Sequence, residues 1–165
     1  MGFGEAFGTC LRKYTDFSGR ARRSEFWWFW LAVTIIMIPF GIVFGIAAFA
    51  ASADFIDIME DEDSFSIRLL LDNVDWDRLV GPGLLLGAAW LFLLVPMLAV
   101  TARRLHDIGM TGWVMLVWFV PSVGSLILLV MCVIDGQSRD NDWGPDPKAD
   151  ERAAWRAPVP PTGEG

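Results

Sequence analysis

The chain has 165 residues, room for one domain, and 54% of them are hydrophobic, including nine Trp and twelve Phe, at a mean hydropathy of +0.43. A soluble domain of this size could not hide so much apolar surface. The net charge of −7 leaves no continuous basic stripe, which argues against nucleic acid as a partner.

From the N-terminus, Phe3, Ala6, Phe7, Cys10, Leu11 and Tyr14 recur at helical spacing beside Arg12 and Lys13. This predicts a short amphipathic helix lying in the membrane interface, weakened by Gly4 and Gly8. Cys10 and Cys132 lie in different settings, without the neighbours of a metal site or a redox pair, and read as small apolar side chains. The first apolar run is too long and too aromatic for a cleaved leader, so it is expected to stay as a signal-anchor.

Three uncharged runs follow, about 26–51, 81–100 and 113–134. As a helix the first would be about 39 Å long, beyond a hydrocarbon core of about 30 Å, so tilt, a kink at Pro39 or a start in the headgroup layer must absorb the excess. Trp27, Trp28 and Trp30 favour the last of these, since indoles prefer the interface. The other two runs are near the ~20 residues a crossing needs. The expected fold is therefore an all-α membrane protein with three transmembrane helices plus short interfacial amphipathic helices. Pro39, Pro96 and Pro121 interrupt the runs, as proline does more freely in membrane helices than in soluble ones. Gly41 with Gly45, and Gly83 with Gly87, have the spacing that lets helix backbones approach closely, either between the first two spans or in a dimer.

Between the first two runs, residues 52–80 carry nine acids against Arg68 and Arg78. Ile67, Leu70, Leu71 and Val74, after a potential N-cap at Ser64, predict a second interfacial helix there. The run Glu60-Asp61-Glu62-Asp63 lacks calcium-loop spacing and reads as a solvated acidic loop. Residues 1–148 form a single membrane domain that includes this loop. The proline-rich tail, 149–165, is expected to be disordered. Asp140-Asn141-Asp142-Trp143-Gly144 has its glycine too early for a calcium loop and is expected to be a turn, with Trp143 on the membrane surface.

Three crossings would put Arg20, Arg22, Arg23 and Glu25 on the same face as Arg103, Arg104, His106 and Asp107, and the positive-inside rule makes that face, and the N-terminus, cytoplasmic. If Pro121-Ser122-Val123-Gly124 turned the third run back, the tail would join them. These eight residues form either a site for an anionic lipid headgroup or a structural ion-pair cluster. No complete catalytic set, metal site or cofactor motif accompanies them. The expected function is thus that of a non-enzymatic inner-membrane component, binding lipid headgroups, a second copy of the chain or another membrane protein. Two alternatives stand beside it: a subunit of an oligomeric transporter or channel, and a headgroup enzyme with His106 as base and Asp107 orienting it.

Four ordered motifs also match a known pattern: FSGRARRSEFWWF, RRLHDIGMTGW, VPSVGSLILL and DGQSRDNDWGPDP. Together they resemble the bacterial family called domain of unknown function 805, over roughly residues 3–148. The resemblance implies a small inner-membrane protein of that fold, with the acidic loop as an insertion, and brings no established activity.

Overall fold

In the computed structural model, residues 1–51 and 75–156 are described, and their regular elements are helices. The elements are α1 (Phe3–Arg12), α2 (Arg23–Ala51), α3 (Trp76–Asp107), a 3-10 helix (Gly112–Phe119), α4 (Gly124–Val133) and α5 (Ala149–Arg156). The interfacial helix expected around Ile67–Val74 and the run Glu60-Asp61-Glu62-Asp63 lie outside the described residues, as does the tail from 157 onward. The described residues fall into two compact units. One contains Met1–Trp30 and the chain from Val95 onward, and the other is Leu31–Leu94.

The chain is an all-α membrane protein. Two of its helices, α2 with 29 residues and α3 with 32, are long and apolar enough to cross a bilayer. Within the unit Leu31–Leu94 the apolar side chains point outward: Ile46 is 65% exposed, Phe49 70% and Leu84 69%. Exposure on this scale suits lipid rather than water. At the end of this unit nearest the acidic loop, Arg78 pairs with Asp75 at 2.8 Å and donates to the Ala50 carbonyl at 3.0 Å. The glycine spacing does not produce close backbone contact here. A Cβ on Gly41, Gly45 or Gly87 would meet nothing within 4 Å, and one on Gly83 only the Phe44 ring at 3.6 Å.

In the other unit, α1 starts where the Gly2 amide donates to Glu5 Oε2 at 3.3 Å. Its stripe is used internally, with Ala6 and Cys10 buried and Phe3 and Phe7 against Trp28 and Phe29. α3 ends in a Schellman pattern. Gly109, at φ +84°, donates to the His106 carbonyl at 3.0 Å, and Met110 donates to that of Leu105 at 2.9 Å.

The third apolar run departs from the single continuous helix expected. It is not one helix but two antiparallel arms, a 3-10 arm and α4, joined at Pro121 and Ser122. Proline stops the first arm because it has no N–H to give, and Ser122 takes φ +66° to reverse the chain. Gly124 makes the close return feasible, since a Cβ there would collide with the Val117 carbonyl. Both roots of the hairpin return to one place. Gly112 packs on Ala102 and His106, while the Cys132 and Ile134 carbonyls accept from Arg104. The short helix α5 also occupies part of the segment expected to be disordered. Asp146 starts it by accepting the Lys148 amide at 2.9 Å and pairing with Arg152.

A substitution pair checks this architecture. Gly124→Ala should lower the thermal midpoint of the detergent-solubilised chain by several degrees, because the hairpin must open around the Val117 carbonyl. Gly41→Ala, with open space and better helix propensity, should leave it unchanged or slightly raised.

Candidate functional site: a buried arginine–carboxylate cluster

All eight polar residues singled out in the sequence lie in the unit that holds Met1–Trp30 and the chain from Val95, and six of them are buried. Arg20, Arg22, Arg23 and Glu25 come from the entry to α2, and Arg103, Arg104, His106 and Asp107 from the last turns of α3. The Ala21 amide donates to the Arg103 carbonyl at 3.0 Å and fixes the two segments side by side.

Asp107 is the centre. Its Oδ1 accepts from Arg20 Nε at 2.9 Å and its Oδ2 from Arg104 Nη1. The remaining guanidinium hydrogens go to backbone carbonyls in the last turn of α4 and in the segment after it. Arg20 donates to the carbonyls of Gln137 and Arg139, the latter at 2.7 Å, and Arg104 to those of Cys132, at 3.2 Å, and Ile134. The Gln137 amide closes the ring by donating to the Asp107 carbonyl at 2.9 Å. Gly136 passes so near that a Cβ would collide with the Asp107 carboxylate.

Arg103 forms a second pair with Glu25, Nη1 to Oε1 at 2.6 Å, with both side chains buried. Its Nε and Nη2 have no hydrogen-bond partner among the described residues. Cys10 Sγ lies 3.8 Å from the same Glu25 oxygen. Burial, reinforced by the Glu25 charge, pushes the Cys10 thiol up to about 12. Both cysteines are free and buried.

His106 and Asp107 do not form a dyad. Successive helix residues point about 100° apart, so Asp107 faces the arginines while His106 turns elsewhere. Its Nδ1 donates to the Gly19 carbonyl at 3.1 Å, and its ring stacks on Trp143 with centroids 3.7 Å apart and planes 1° from parallel. Trp143 therefore packs on a histidine, where the sequence suggested the membrane surface. Arg22 and Arg23 stand at the edge, pairing with Glu151 and, at 2.6 Å, with Asp135.

The tail's part in the cluster has no periodic signature in the sequence. Asn141 donates to the His106 carbonyl at 2.9 Å and to Gln137 Oε1 at 3.2 Å, and its own Oδ1 accepts the Trp143 amide. The signal that could have found them is the turn chemistry of residues 135–147, where Asp, Asn and Gly concentrate.

Two predictions follow from how each guanidinium is used. Arg103 spends one nitrogen, so Arg103→Lys should retain most of the fold's stability. Arg104 spends three in a fork that lysine cannot copy, so Arg104→Lys should lose roughly 3 kcal/mol or more in denaturant titration. Cys10 should resist alkylation at pH 8 until the chain unfolds. Because the native thiol keeps its proton above the ordinary value of 9.0, stability should be constant below pH 9 and fall as pH rises towards 12.

The model of a family described as a protein of unknown function (DUF805) matches residues 14–145. The inner membrane protein YhaH of Escherichia coli K12 is 32% identical over 138 residues, 84% of this chain and 92% of the relative. The inner membrane protein YhaI of the same strain is 34% identical over 142 residues, again 84% of this chain and 91% of the relative. No solved structure matches. The match takes in the entry to α2, the end of α3, the hairpin and the loop that closes over Asp107, so the chain belongs to the DUF805 family.

Proposed function

We propose that the chain is a non-enzymatic component of the bacterial inner membrane that crosses it twice and recruits anionic lipid headgroups around its cytoplasmic face. The observation that carries this is the spending of Arg20, Arg103 and Arg104 inside the fold. Their hydrogen bonds go to Asp107, Glu25 and backbone carbonyls, so the buried cluster acts as a structural lock. Headgroup contact falls instead to exposed cations such as Arg12, Lys13, Arg139 and Arg156.

Charge distribution supports the orientation. With α2 and α3 as the two spans and the hairpin turned back, the N-terminal segment, the cluster and the tail lie on one side. That side then carries eleven of the thirteen Lys and Arg residues, leaving Arg68 and Arg78 opposite. Short flanking segments rich in Lys and Arg stay in the cytoplasm. The inner-membrane names of YhaH and YhaI support the location.

The full chain reconstituted in nanodiscs of mixed phosphatidylglycerol and phosphatidylethanolamine should retain phosphatidylglycerol preferentially when its bound lipids are extracted and weighed. Arg12→Gln with Lys13→Gln and Arg139→Gln should weaken that preference by up to about 3 kcal/mol at low salt, at about 1 kcal/mol per cation, with melting unchanged. Equal retention of both lipids by the unaltered chain would refute headgroup recruitment.

A further inference from the structure

The hairpin made by Gly112–Phe119 and Gly124–Val133 has no polar face, its exposed Ser122 and Ser125 lying together at the tip, and it is largely uncovered. Trp113 is 78% exposed, Phe119 77%, Leu126 60% and Val130 49%. A hairpin with no polar face cannot lie flat on a membrane surface, where one side would meet water. It also cannot cross the membrane, because both of its roots are held at the charged end of α3.

Its dimensions suit a third arrangement. Eight residues of 3-10 helix rise about 16 Å. Ten residues of α-helix rise about 15 Å. Each arm is thus half of a hydrocarbon core of about 30 Å. Part of the tip's backbone is also satisfied for that depth. Lipid offers no hydrogen bonds, so irregular backbone survives there only when its polar groups are satisfied internally. At this tip Pro121 has no N–H, Val120 donates to the Val117 carbonyl at 2.9 Å, Val123 to that of Pro121 at 2.8 Å, and Gly124 to that of Val120 at 3.0 Å, while the Ser122, Ser125 and Leu126 amides have no backbone acceptor among the described residues. The charges that would fix the roots at headgroup level are Arg23, Arg104, Asp107 and Asp135.

We propose that this hairpin is a half-membrane wedge, inserted from the side of the arginine cluster, whose partner is the acyl chains of that one leaflet, with Phe119–Ser122 near the bilayer midplane. It rests on the two-span reading above and adds to it a contact confined to one leaflet.

Single cysteines in the full chain, in sealed liposomes or spheroplasts, test it, since the native cysteines are buried. Thr111→Cys and Ser138→Cys, beyond the two roots, should both react with a membrane-impermeant maleimide from the same side. Labelling from opposite sides would overturn the wedge. A fluorophore on Ser122→Cys, or on Val120→Cys should the turn not accept the first, should lose more fluorescence to lipids brominated near the chain ends than near the headgroup. Quenching mainly from water overturns the inserted position, and protection from both quenchers overturns the acyl-chain partner in favour of a second copy. Asp77→Cys, at the other end of α3, separates this from the reading beneath it. If it labels from the same side as Thr111→Cys, the two-span reading fails, whatever the hairpin does.

Discussion

The fold depends on one carboxylate shared by two arginines. Asp107 sits at the end of a membrane-length helix and binds Arg20 from the entry to α2 and Arg104 from its own preceding turn. A buried charge is costly unless it is paired and its remaining hydrogen bonds are filled. Each arginine offers more donors than one carboxylate can accept. The surplus has to go somewhere, and it goes to the carbonyls at the end of α4 and just beyond it. The ion pair thus dictates where the next segment of backbone must run.

That dependence explains why the third apolar run turns back. Its first residues are placed by the end of α3, which a Schellman turn at Gly109 directs onto the 3-10 arm. Its last residues supply the acceptors for Arg104. A helix of 22 residues would put those acceptors about 33 Å away, where Arg104 could not reach them. The break at Pro121 and Ser122 and the small volume of Gly124 are the local means to that end.

Much of this was legible in composition and spacing. The two long uncharged runs announced α2 and α3, and their antiparallel order was enough to bring Arg20–Glu25 beside Arg103–Asp107; a third crossing was not needed. What could not be read was length against topology. A run of 22 apolar residues suits a crossing by count, and its length says nothing of the bonds that bring both of its ends to the end of α3. The glycine pairs make no close contact within the described chain. Their spacing permits close approach but does not demand it, and in the described residues the Cβ positions of Gly41, Gly45 and Gly87 are open. The tail was opaque because its role is carried by backbone carbonyls and by Asn141 and Trp143, none of which has a periodic signature.

The balance of charge shows why that tail belongs to the membrane domain. Arg20, Arg103 and Arg104 bring three positive charges to the buried cluster, and Glu25 and Asp107 return two negative ones. One positive charge is left over in a place that disfavours it. Partial charge supplies the compensation. The carbonyl oxygens of Cys132, Ile134, Gln137 and Arg139 point at the guanidinium groups, and the negative end of the α3 dipole lies under Arg104. These dipoles act only while residues 132–144 stay folded over the cluster. Asn141 on the His106 carbonyl and Trp143 on the His106 ring hold them there. His106 is in this sense a fastener for the loop that neutralises its neighbours, which accounts for a lone histidine beside an aspartate without any chemistry between them.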